Sequence, residues 1–396
     1  MAVDLRDINV KQVLGFSAKK LMNESIVALA ILQMFFSATI PSLKVLQIPV
    51  ELILFIFLFV ACTTVKFNRW QILLLYVSTV ITIASFATTE LSVSVVNAKQ
   101  IGLAVLILLY FSKIKFNSKL ILPTVTVSII LLIINKFFPG NLESFISLSF
   151  NKEFNMSRFG GIFLNAHFNA FFIAIALIYY GQCRRLYGFG VWILYITASK
   201  FIFVSYIAHL LYTNLLARYL SKHSGIFILL IILGVFTFVS YADVLINYLI
   251  DNNGVEKKYN SAIIILYQLI DPAYYKFLLS PLPSVYSGAP EGTKVLFDGH
   301  DGTNEIGLFA FFTQSGFFIA LLYLFVLFKH ARLYIVFIMF TLLHNNFILS
   351  PLCIVMFVTY SKEILLHRTF KPKPEKNRVS RLGYSIVSNN NKKYKC

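Results

Sequence analysis

The residues with the most chemical promise stand in one short run: Ser157-Arg158-Phe159-Gly160-Gly161-Ile162-Phe163-Leu164-Asn165-Ala166-His167-Phe168-Asn169-Ala170. Carried on a helix, Arg158, Asn165 and Asn169 share roughly one face, because offsets of seven and four residues return near the same azimuth. The paired glycines let a neighbour or a ligand come close to the backbone. A guanidinium at an apolar–aqueous boundary, with carboxamides below it, suits phosphate or diphosphate oxygens. The same residues also suit an arginine that snorkels to water above a polar helix–helix seam. Spacing alone does not separate these two readings.

Other polar groups in apolar surroundings are few. His344-Asn345-Asn346 stands just before Pro351, where a cavity-facing cluster and a tight turn are both consistent with the residues. Glu51 and Asp243 stand near the ends of apolar runs, where ionisable groups face protein, a cavity or the interface. Cys62, Cys183, Cys353 and Cys396 are too scattered for a metal site or a disulfide framework, so they read as structural thiols. No metal-ligand cluster and no cofactor motif is evident, and none is expected.

The elements that must position these groups follow from composition. Hydrophobic residues make up 58% of the chain and charged residues 13%, and mean hydropathy is +0.75. One soluble core could not bury so much apolar surface, so hydrocarbon is the expected solvent. A helix needs roughly 17 to 25 residues to cross it. Apolar runs fit at about 24–41, 47–65, 70–88, 99–113, 119–137, 161–180, 187–199, 202–217, 225–249, 303–328, 332–348 and 351–366. The expected fold is therefore all-α, a polytopic membrane protein of about twelve spans. The polar, basic start (Arg6, Lys11, Lys19, Lys20) precedes the first run and does not resemble a cleavable signal.

A net charge of +18 would ordinarily raise nucleic acid as a partner. Here the cations occupy alternate gaps: Lys66 and Arg69; Lys113, Lys115 and Lys119; Arg184 and Arg185; Arg218 and Lys222; Lys329 and Arg332. From Lys362 onward there are ten Lys/Arg against two Glu. That is the positive-inside distribution, with both termini cytoplasmic, and no nucleic-acid partner is expected. Among the arginines only Arg158 falls on the expected outer side, against the trend. Residues 1–366 read as a single transmembrane domain and 367–396 as a basic cytoplasmic tail. One outer segment is long, about 250–302. It holds an amphipathic stretch with Lys257 and Lys258 near its start, then a Pro/Gly/Ser-rich passage, as a surface helix and a covering loop would.

The run R-x-x-G-x-F-x-N-x-x-x-x-A (Arg158, Gly161, Phe163, Asn165, Ala170) resembles the signature of the O-antigen polymerase and O-antigen ligase superfamily. Where that signature usually reads Asn-Pro-Asn, this chain has Asn165-Ala166-His167, so the proline kink is lost and His167 stands in place of the second amide. Thr197-Ala198-Ser199-Lys200 is similar to the family's Ser-Arg hairpin tip, with Lys200 keeping the charge but not the bidentate fork. Gly299-His300-Asp301-Gly302-Thr303-Asn304-Glu305 is similar to its His- or Glu-bearing segment, with the register open among His300, Asp301 and Glu305. Asp301 is equally suited to capping a helix. The resemblance covers roughly 155–330.

That resemblance implies a GT-C-like, metal-independent glycosyltransferase working at the periplasmic face of a bacterial inner membrane. Its donor and acceptor would be glycans linked to undecaprenyl diphosphate, with membrane lipid around it and a chain-length regulator as a candidate partner. A polymerase joins repeat units; a ligase moves the finished chain to lipid A-core; polymerase is the preferred expectation. Arg158 and Lys200, with Lys257 or Lys258, would stabilise charge on the leaving diphosphate. His300 or Glu305 would take the acceptor proton. Asn165 and Asn169 would orient substrate oxygens, and the long loop would exclude water. A flippase or transporter would need charges at mid-span and broken helices in paired halves, but the polar residues here gather towards one face. A channel or a scaffold leaves Arg158 and the long loop without a role.

Overall fold

The computed structural model describes residues 10–39, 44–88, 91–138, 162–163, 166–180, 185–197, 199–216, 311, 315–342 and 347–369. Among these, every regular element is helical. In chain order they are α1 (Val10–Thr39), α2 (Lys44–Thr63), α3 (Arg69–Thr88), α4 (Leu91–Phe111), α5 (Ile121–Phe137), α6 (Ala166–Tyr180), α7 (Arg185–Ile196), α8 (Lys200–Leu211), α9 (Phe317–His330), α10 (Ile335–Thr341) and α11 (Pro351–Thr369). Single turns of 3-10 helix precede α10 and α11, at Arg332–Tyr334 and Phe347–Leu349.

Most of these boundaries follow the apolar runs, but α1 begins at Val10 rather than about 24 and α4 at Leu91 rather than about 99. The helix expected from 161 begins at Ala166, and Ile162 and Phe163 lie on bent backbone. Gly160-Gly161 precedes this bend and is a poor helix nucleus. No continuous helical face therefore runs from Arg158 to Asn169. The run expected at 202–217 is α-helical only to Leu211 and then widens into a π turn, Tyr212–Leu216. The run expected at 332–348 is broken into short pieces, and Phe318–His330 meets Arg332–Thr341 at 103°. The start of α3 is a reciprocal cap: Gln71 N–H donates to Asn68 Oδ1 and Asn68 N–H to Gln71 Oε1, both at 3.0 Å.

Packing separates central from peripheral helices. α4, α6 and α11 are buried nearly all round from Leu103 to Phe111, Asn169 to Leu177 and Pro351 to Ser361. α11 packs on both α4 and α6; α2 and α3 each pack on α4; α5, α7 and α8 surround α6. Aromatic rings fill the centre, with Phe171 stacked on Phe337 and Tyr179 on Tyr360 at 3.9 Å. At one end of this bundle Glu24 accepts from Ser118 Oγ (2.6 Å) and Lys119 N–H (3.0 Å). There too Lys362 Nζ donates to Phe111 O (2.7 Å) and Ile114 O (3.0 Å), satisfying carbonyls left open where α4 ends. The gap cations Lys113, Lys329 and Arg332 all act on His330 at this same end.

The outer surface is apolar. Ile48, Leu52, Ile56, Phe59, Ile72, Tyr76, Ile83, Ile130, Phe318 and Phe325 are among many large side chains left exposed. By length and composition, Leu46–Thr63 is long and apolar enough to cross a membrane, and the bent pair Phe318–His330 and Arg332–Thr341 passes only when taken together.

Candidate functional site

The site is built where the start of α6 meets α5 and the α7–α8 turn. Asn169 lies one turn into α6 and is fully buried. Its Oδ1 accepts a short hydrogen bond from Ser128 Oγ in the middle of α5. The Ser128 hydroxyl oxygen also accepts the Ile162 N–H at 3.4 Å, which ties the bend before α6 to α5. Phe163, packed edge-on against Phe172, anchors that bend from the other side. Asn169 Nδ2 is buried with no hydrogen-bond partner. Turning the amide over would give Nδ2 the serine and strand Oδ1 instead, so either orientation leaves one amide atom unmatched.

A second contact lies two residues earlier on the same helix. His167 Nδ1 is 2.9 Å from Ser199 Oγ. Ser199 occupies the N-cap position of α8, yet its hydroxyl makes no cap bond and serves the imidazole instead. Thr197 and Ser199 are buried in the turn, and Lys200, the first residue of α8, is exposed beside them. His167 thus meets the α7–α8 turn, while Asn169, two residues on and about 200° round the helix, meets α5. Phe168 and Phe171 pack on Phe347, at 4.8 and 4.4 Å.

Of the residues expected at the site, Asn169 and Lys200 are placed by the structure. Arg158, Asn165, Lys257, Lys258, His300, Asp301 and Glu305 lie outside the described residues, as do Asp243 and His344-Asn345-Asn346. His167, at the departure from the usual amide, joins α6 to the turn bearing Ser199 and Lys200. Sequence reading missed Ser128. The available signal was a hydroxyl placed mid-run in α5, which is weak, because a serine in an apolar helix ordinarily bonds its own backbone.

Glu51 forms a separate polar cluster. Its carboxylate is buried, with Lys99 Nζ 2.7 Å from Oε2 as an ion pair rather than an aligned hydrogen bond. Oε1 accepts from Gln47 Nε2 (2.6 Å) and Gln33 Nε2 (3.1 Å). Lys99 was detectable as a partner, since both residues fall at the same expected ends of their runs. Among the described residues no group of three or more His, Cys, Asp or Glu could hold a metal ion. No family model, curated protein or solved structure matches the chain.

Proposed function

We propose that the protein is a polytopic membrane glycosyltransferase that polymerises lipid-diphosphate-linked oligosaccharide repeat units at the outer face of a bacterial inner membrane. The observation that carries this reading is the buried Asn169 amide with an unmatched atom, on the helix whose His167 meets Ser199, the residue before exposed Lys200. An orphaned buried amide costs about 1–3 kcal/mol, and such costs are retained where a ligand completes the hydrogen bonding. A carboxamide, an imidazole and an ammonium are groups that suit sugar hydroxyls and a diphosphate. The apolar exterior supports the membrane placement, since exposed apolar area on this scale is not tolerated in water. The gathering of the gap cations Lys113, Lys329 and Arg332 about His330 agrees with the alternating positive gaps. Arg158, His300 and Glu305 take the diphosphate and proton-transfer roles that the resemblance implies.

The test is to delete the gene in its host and complement with wild type, Arg158→Ala, His300→Ala and Asn169→Ala, checking protein levels and resolving surface polysaccharide on a gel. Collapse of the ladder to core plus one repeat supports polymerase. Long chains held on the lipid carrier, with none on lipid A-core, would instead make the protein a ligase. An unchanged ladder refutes the reading.

A further inference from the structure

A slot of about 740 Å³ runs between α2 and α3, which both pack on α4 and leave that helix as its floor. It extends along α2 from Ile48 to Thr63, about 22 Å at the rise of an α-helix. A hydrocarbon chain laid along it would meet apolar side chains of all three helices.

The polarity of the slot is that of a lipid. Three of its hydroxyls and its thiol are already spent on backbone carbonyls: Ser78 and Thr79 on Leu75 O (2.9 and 2.8 Å), Thr63 on Val60 O (2.7 Å) and Cys62 on Leu106 O (3.7 Å). A peptide strand laid here would find no partners for its backbone groups. Charge enters at one end only, where Lys99, one-third exposed, pairs with Glu51. The Glu51 charge is compensated by Lys99, Gln33 and Gln47, while the three-donor ammonium has only Glu51 as its described partner. Of this ion pair only the ammonium is accessible from the slot, so the end presents a donor to an anionic oxygen.

We propose that this slot binds one acyl chain of an anionic bilayer phospholipid, with the lipid phosphate at Lys99. The proposal rests on the membrane placement given above and is separate from the Asn169 site. Gly102 is the gauge of the floor, because a Cβ there would meet only Phe55 Cε2 at 3.6 Å, an ordinary contact, while a larger side chain would project into the slot.

The experiment uses full-length protein in vesicles containing phosphatidylglycerol or phosphatidylcholine with a photoactivatable group in one acyl chain, with labelled peptides mapped. Phosphatidylglycerol is expected to label α2–α4 peptides in wild type and Gly102→Ala. Gly102→Trp lowers that labelling about tenfold or more, since each methylene displaced from an apolar wall is worth about fourfold in affinity. Val95→Trp, at a half-exposed position lining the charged end, does the same and stands in if Gly102→Trp fails to fold. The pair Glu51→Gln with Lys99→Gln makes the two lipids label equally. Equal labelling in wild type and both tryptophan variants overturns the proposal. So does displacement of phosphatidylglycerol by lower concentrations of a polyisoprenyl phosphate, or crosslinking of the slot to a second copy. Release of the protein from membranes by alkaline carbonate overturns the membrane reading and this inference together; retention without labelling overturns this inference alone.

Discussion

Asn169→Leu separates a site residue from a structural one. Wild type has one bond from Ser128 to the amide and one amide atom buried without a partner. The substitution loses a bond worth a net of about 1 kcal/mol and removes an orphan costing about 1–3 kcal/mol, against about 1–3 kcal/mol for fitting a larger side chain of the same branching. The variant should therefore stay within about 2 kcal/mol of wild type. Ser128→Ala acts in the opposite sense. It takes the last partner from the amide and also the acceptor for Ile162 N–H, and should cost about 1–3 kcal/mol. In the Asn169→Leu background that cost should shrink, because the buried amide is no longer there to be stranded, giving a coupling of about 1–3 kcal/mol. Helical circular dichroism during unfolding of the four purified proteins gives the cycle, and the polysaccharide ladder gives activity. Asn169→Leu should lose the ladder while remaining folded and within about 2 kcal/mol of wild-type stability. A variant destabilised by about 2 kcal/mol or more would show that the amide holds the helices together, and the site argument would fail.

Two further expectations concern stability. A Cβ on Gly190 would lie 2.6 Å from Tyr206 Oη and 3.2 Å from Cζ, with the Tyr206 ring fully buried. Gly190→Ala should cost about 1–3 kcal/mol, and adding Tyr206→Phe should recover much of it; an unshifted melt for Gly190→Ala would mean that α7 and α8 do not approach this closely. His330 lies just beyond its expected span. Burial first, then the charges of Lys362, Lys329, Lys113 and Arg332, pull its pKa from the ordinary 6.5 to about 4. Between these values the unfolded chain binds a proton that the folded chain refuses, so stability should fall as pH drops from about 6.5 towards 4 and this contribution should level off below. Melts of His330→Gln across that range should lack the slope that separates wild type at the two ends.

Much of the helical outline was legible in one dimension. Runs at 47–65, 70–88 and 119–137 became α2, α3 and α5 with no end shifted by more than three residues. Helix lengths follow apolar runs because main-chain groups in apolar surroundings must bond within their own segment. Asn68 and Gln71 cap α3 through equally local bonds, though the sequence reading did not pick them out. The bend at Ile162 and Phe163 was also missed, because the apolar run from 161 and the seven- and four-residue offsets pointed to a continuous helix. The broken stretch from Arg332 to Leu349 was missed as well, because hydropathy weighs side chains and does not register a bend between two equally apolar pieces.

The sequence by itself determined that the chain is helical, where most helices begin and end, and that cations alternate between gaps. These are local or additive properties, set by side-chain transfer energies and backbone bonding within a segment. Tertiary structure alone decided that α4, α6 and α11 form the centre, because helices apolar on every side carry no stripe to say which face is inward. It also paired Asn169 with Ser128, His167 with Ser199, and Glu51 with Lys99. Those partners are 41, 32 and 48 residues apart in the chain, and a short polar side chain finds its partner only once the packing of large neighbours has fixed which helices touch.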